Sequence, residues 1–97
     1  MPASVSDIAT PDAARLIKRL CTHWAHKFEV VFDDRHGRVP FDADTLALLD
    51  ADDDALHVRV EAADAERLAR MQDVVAEHLQ RMNRGEALAI AWRPADA

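Results

Sequence analysis

Residues 28–61, FEVVFDDRHGRVPFDADTLALLDADDDALHVRVE, decide the fold. Phe28, Val30 and Phe32 alternate with Glu29, Val31 and Asp33, the period of a half-buried strand. Asp34-Arg35-His36-Gly37 reads as a turn, with Gly37 open to positive φ. Residues 38–41 give a short strand whose Pro40 points to an edge or a bulge. Asp42-Ala43-Asp44 turns the chain again. Residues 45–49 give a third strand, and the acidic run 50–54 a third turn. Leu56, Val58 and Val60 then alternate with His57, Arg59 and Glu61, the cleanest strand of the set. Four strands joined by turns this short can only pair as an antiparallel meander.

Working outward, each side of the meander carries an amphipathic helix. On the N-terminal side, Thr10-Pro11-Asp12 is a start signal: a capping hydroxyl, a proline at the first helical position and an acid for the dipole. Ala13, Leu16, Ile17, Leu20 and Trp24 follow at spacings of three and four, and the helix is expected to reach His26 or Lys27. On the C-terminal side, Asp64 is an N-cap. Leu68, Met71, Val75, Leu79 and Met82 form a regular stripe, and Gly85 suits the residue after the helix. Residues 4–8 give a short strand candidate. Leu88, Ile90 and Trp92 alternate with Ala87, Ala89 and Ala91 as a last strand.

The expected order is β-α-β-β-β-β-α-β, a two-layer α+β fold with a mostly antiparallel sheet and two antiparallel helices on one face. The 97 residues fit one domain, 1–97. The single cysteine, Cys21, cannot form an intramolecular disulfide. No segment reads as a leader or a membrane span, so a cytoplasmic location is expected, with no membrane partner. A net charge of −6 argues against a nucleic-acid partner, because phosphate contacts dominate that affinity.

Three constellations deserve testing as sites. Cys21, His23 and His26 suggest metal, but Cys21 points away from His26 on a helix, and two histidines alone rarely hold zinc. Asp50, Asp52, Asp54 and Glu61 match carboxylate positions of a helix-flanked calcium loop. Ala55 stands where that loop needs glycine, and the flanks are strands. No metal site and no cofactor motif is expected.

The third constellation is geometric. At 100° per residue, Arg15, Arg19, His23 and His26 lie about 60° to 140° to one side of the first helix's stripe. His78 and Arg81 lie on the flank of the same sign in the second. On antiparallel neighbours, such flanks both face the groove between the helices or both face away. If the first helix starts level with the end of the second, Arg19 lies ~12 Å from that end, His78 ~9 Å and His23 ~18 Å. Arg15, Arg19, His78 and Arg81 then gather as an anion site. His23 and His78 are too staggered to share a metal, and His23 and His26 are secondary candidates. The competing reading is that these charges flank the core and extend to water.

Several runs resemble one family when taken together. They are Leu20-Cys21-Thr22-His23-Trp24-Ala25-His26-Lys27, the Gly37-Arg38 turn, residues 51–60, Asp73-Val74-Val75-Ala76-Glu77-His78-Leu79, and Glu86-Ala87-Leu88-Ala89-Ile90-Ala91-Trp92. The set resembles the small bacterial domain-of-unknown-function family 2218, over residues 3–93. The resemblance implies a bacterial α+β protein with an accessory role in siderophore or iron utilisation, and no catalytic residues to carry over. Where the family pattern suggests an aromatic after Arg81, this chain has Met82.

The leading expectation is therefore an accessory binding domain for a small anionic ligand or a protein. A homodimeric assembly protein without ligand is the alternative, using an outer sheet face of Val31, Ala47, Leu49, Ala87, Ala89 and Ala91. An enzyme using His23, His26 or His78 as acid–base group ranks last, because nothing places a nucleophile or second carboxylate beside them.

Overall fold

The computed structural model describes residues 2–83 and 87–95. In chain order the elements are β1 (Ala3–Ala9), α1 (Ala13–Trp24), β2 (Val31–Phe32), β3 (His36–Asp42), β4 (Thr45–Ala51), β5 (Ala55–Glu61), α2 (Ala65–Met82) and β6 (Arg93–Pro94). The meander forms as its turns require, and every strand pair is antiparallel. The sheet order is β2-β3-β4-β5-β1-β6. β1 is thus an interior strand, paired along its full length with β5. Both edges are two-residue strands: β2 covers only Gly37 and Arg38 of β3, and β6 only Ser4 and Val5 of β1.

The helix stripes bury as their spacing dictates. Ala13, Leu16, Ile17, Leu20, Cys21 and Trp24 of α1, and Leu68, Met71, Val75 and Leu79 of α2, pack on one sheet face. That face presents Ile8, Val39, Ala47, Leu49, Ala51, Leu56, Val58 and Val60. The Asp64 carboxylate accepts the Arg67 N–H at 2.8 Å as the N-cap of α2. α1 begins later than its start signal suggests. Thr10 Oγ1 accepts from Asp12 N–H at 3.1 Å and closes a turn before the helix, so Pro11 lies outside it. α1 also ends earlier, at Trp24, leaving His26 and Lys27 in the following turn.

Four expectations need correction. First, Ala47 and Leu49 face the helices, and Leu46 and Leu48 take the outer face. The run Leu46-Ala47-Leu48-Leu49 is apolar at both parities, and a one-residue change of parity exchanges the faces. Second, Gly37 is not a positive-φ turn residue. It lies within β3, where a Cβ would meet Cys21 Sγ at 2.7 Å. Its missing side chain makes room for α1. Third, the strand expected over residues 28–33 shrinks to Val31–Phe32. These lie at the sheet edge, 68% and 40% exposed. Phe28 turns instead onto Phe41, with ring centroids 5.1 Å apart. Fourth, the last strand expected over residues 87–92 does not form; Arg93–Pro94, just beyond it, pairs with β1 instead. Leu88 is buried but takes no ladder partner. The Gln80 side chain donates to Leu88 C=O at 2.7 Å and accepts Leu88 N–H at 3.0 Å, serving both of its backbone groups.

Candidate functional site

α1 carries its cations on the flank that looks toward the end of α2. Arg15, Lys18, Arg19 and Thr22 recur at three- and four-residue spacing and so share one helix face. With His23 and Met82 they line an open concavity of about 580 Å³. Among the described residues no carboxylate lines it. Arg19 Nη1 donates to Met82 C=O at 3.1 Å, satisfying a carbonyl that the last turn of α2 leaves free. Arg15 and Lys18 also border a neighbouring concavity that has Asp33 and Asp34 on its wall.

The expected anion set therefore forms in part. Arg15 and Arg19 come together, and Lys18 and Thr22, which the flank argument passed over, join them. Arg81 is exposed and pairs with Glu77 on its own helix at 2.7 Å. His78 approaches His23, not the arginines: the two ring centroids are 5.5 Å apart. The stagger that separated these histidines is thus wrong. Arg19 contacts Met82 and His23 contacts His78, so the helices are antiparallel as expected. However, α2 sits about six residues, ~9 Å, further along the axis than level ends would place it. Met82, in place of the family's expected aromatic, forms one wall of the concavity.

His78 Nδ1 lies 2.7 Å from Val74 C=O. A carbonyl only accepts, so Nδ1 carries the proton and Nε2 is left free in the neutral ring. The His78 ring also lies 5.1 Å from Trp24, which meets Phe41 edge-on at 5.0 Å. A continuous row of rings, Phe28-Phe41-Trp24-His78-His23, thus runs from the sheet into the helix groove. His26 is exposed beyond the helix.

Cys21 is fully buried, and burial pushes its thiol up to about 11. A protonated thiol in the core is neither a nucleophile nor a metal ligand at neutral pH. Among the described residues no group of three or more His, Cys, Asp or Glu side chains is placed to hold a metal. The carboxylates of the calcium-loop pattern are dispersed. Asp50 contacts His36 at 3.1 Å, Asp52 contacts His57 at 2.7 Å, and Glu61 pairs with Arg59 at 2.8 Å.

A second constellation crosses the outer face of the sheet. Arg93 of β6 reaches Asp7 of β1 at 2.7 Å. Asp7 also holds His57 Nδ1 at 2.6 Å, while Asp52 holds Nε2 of the same ring. His36 is likewise flanked, by Asp33 and Asp50 at 3.1 Å each. Register makes this row: Asp7 is opposite His57, His57 opposite Asp50, and Asp50 opposite His36. The Asp52 and Asp7 bonds hold His57 above the usual imidazole range. His57, and then Arg93, hold Asp7 below the carboxylate range. Asp52 is lowered by His57 first and then by the Asp54 and Ala55 N–H groups. Asp33 is lowered chiefly by the Arg35 N–H and then by His36. The only sequence signal was the outward parity of His57 in β5. Its partner Asp7 lies fifty residues away, and nothing local names it.

Fold and geometry together define a two-layer α+β protein with a six-stranded open antiparallel sheet. The chain belongs to an uncharacterized protein family conserved in bacteria, domain-of-unknown-function family 2218, whose model matches residues 5–93. The solution NMR structure of PA4090 from Pseudomonas aeruginosa is similar over 100% of both chains, with 44% sequence identity and a TM-score of 0.83. A search of curated proteins finds no match. Among the described residues, no helix is long and apolar enough to cross a membrane.

Proposed function

We propose that this protein is a non-catalytic binding module that holds a small anionic ligand in the concavity of α1. One observation carries the reading. A chain of net charge −6 gathers Arg15, Lys18 and Arg19 around one open concavity with no carboxylate in its lining among the described residues. Three cations gathered on one helix face repel one another, and an anion relieves that repulsion. Arg19 is fixed by its bond to Met82 C=O, so part of the site is ordered before a ligand arrives. The Thr22 hydroxyl adds a donor, and Met82 an apolar wall. The resemblance-based link to siderophore utilisation supplies one ligand class, anionic ferric chelates, and an accessory place in the cytoplasm. Among the described residues no paired acid and base lines the concavity, which supports binding over catalysis.

The test is differential scanning fluorimetry and calorimetric titration with phosphate, citrate and a ferric tricatecholate. Arg15→Ala and Lys18→Ala are expected to weaken whichever anion binds by several-fold each, with a dependence on salt. Arg81→Ala, outside the lining and paired with Glu77, is expected to leave it unchanged. Equal loss in Arg81→Ala, or stabilisation indifferent to Arg15 and Lys18, removes the proposal.

A further inference from the structure

Four of the five histidines form two contrasting pairs. His36 and His57 have both ring nitrogens committed to carboxylates. His23 and His78 have no carboxylate partner among the described residues, and they face each other across the helix groove beside the cationic concavity. Two imidazoles bound to one ion at ~2.0–2.1 Å place their ring centroids roughly 4.5–6.5 Å apart, depending on the angle at the metal. The observed 5.5 Å lies inside that window. His78 is also oriented as a ligand is. Its Nδ1–H is tied to Val74 C=O, which fixes the tautomer and leaves Nε2 as the donor. His23 is exposed and lines the concavity.

We infer that His23 and His78 form a two-imidazole site for a divalent first-row transition ion, copper, nickel or zinc, that arrives already bound to an anionic chelator. Imidazole nitrogen suits these ions. Two protein ligands leave the coordination shell incomplete, so the remaining donors must come with the ion. Arg15, Lys18 and Arg19 repel a bare dication and attract one carried by a carboxylate-rich chelator. The two imidazoles replace two adjacent waters on the ion, and no oxidation state changes. The inference rests on the anion-binding proposal for the charge of the co-ligand alone; the histidine pair stands on its own geometry.

The probe is Cu(II) nitrilotriacetate, a monoanionic chelate with open positions, copper being the ion that nitrogen sites hold most tightly. Titration is followed by quenching of tryptophan fluorescence, with Trp24 5.1 Å from His78, and by the electron paramagnetic resonance spectrum. The expected result is one complex per chain whose spectrum carries two protein imidazole nitrogens. His23→Ala and His78→Gln are each expected to weaken it more than about tenfold, and His26→Ala to leave it unchanged. Circular dichroism checks the fold of each variant, and exposed His23 carries the test if His78→Gln unfolds. Citrate alone, titrated into His78→Gln and Arg15→Ala, separates the two proposals. Copper-chelate binding undiminished by His23→Ala, or a spectrum with one imidazole nitrogen, overturns the pair and leaves the anion site standing. Citrate binding indifferent to Arg15→Ala sinks the anion site and leaves the pair standing.

Discussion

Gly37→Ala should destabilise the protein only while Cys21 keeps its sulfur. An added Cβ would lie 2.7 Å from Cys21 Sγ, and 3.4 Å from Ile17 Cγ2 and Leu49 Cδ1. The latter two approach ordinary contact, whereas the sulfur must yield by roughly 0.7–1 Å to reach a normal separation. Cys21 is fully buried on α1, so the displacement passes to the helix. Overpacking of this kind costs about 1–3 kcal/mol. Replacing glycine in a strand interior returns about 0.5–1 kcal/mol, leaving a net loss of up to about 2.5 kcal/mol. Cys21→Ala removes the obstructing atom and leaves a small void that the new methyl group partly fills. In that background Gly37→Ala should be neutral or stabilising, a coupling of about 1–3 kcal/mol. Urea unfolding of the four proteins in the double-mutant cycle reads it directly, provided the m-values agree. Equal losses from Gly37→Ala in both backgrounds, within about 0.5 kcal/mol, would refute the idea that this glycine exists to admit the thiol.

The remaining predictions concern polar groups. Ser6 Oγ is buried with no hydrogen-bond partner among the described residues, so Ser6→Ala should raise stability by about 1 kcal/mol in urea unfolding; a loss would mean the hydroxyl is satisfied. The outer charge row should shape stability against pH. His57 is raised, so its contribution is complete below about 6.5 and lost as pH climbs through its higher folded value. Asp7 and Asp52 are lowered, so theirs is present above about 3.9 and lost as pH falls through their lower folded values. Thermal midpoints should therefore fall on both sides of a mildly acidic plateau, with salt shrinking the effect. His57→Asn should flatten the alkaline limb, and an unchanged limb would acquit His57. Gln80→Ala should release the backbone of Leu88, raising amide exchange there at least about tenfold while the β5 amides stay protected.

The helices were legible because apolar spacing of three and four leaves one solution. All five α1 positions chosen from the stripe are buried. The meander was legible because its turns are too short for any crossover. What stayed hidden depends on partners remote in sequence. The faces of β4 could not be assigned from a run apolar at both parities. The axial position of α2 could not be counted from helix ends, since the Arg19 bond to Met82 C=O and the core set it. That slide of ~9 Å moved His78 from the arginines to His23. The Asp7–His57 contact required the strand order, which local pattern does not supply. Arg15 and Arg19 were found because helix angle alone places them together, and Lys18 shares that face by the same rule.

The central claim is that the α1 concavity is an anion site. A two-dimensional 15N NMR titration with citrate tests it most directly. The account predicts saturable shift changes centred on Arg15, Lys18, Arg19, Thr22 and His23, abolished in an Arg15→Ala/Lys18→Ala double variant that keeps its dispersed spectrum. Shifts scattered over the outer sheet face, or none at millimolar citrate, would contradict it.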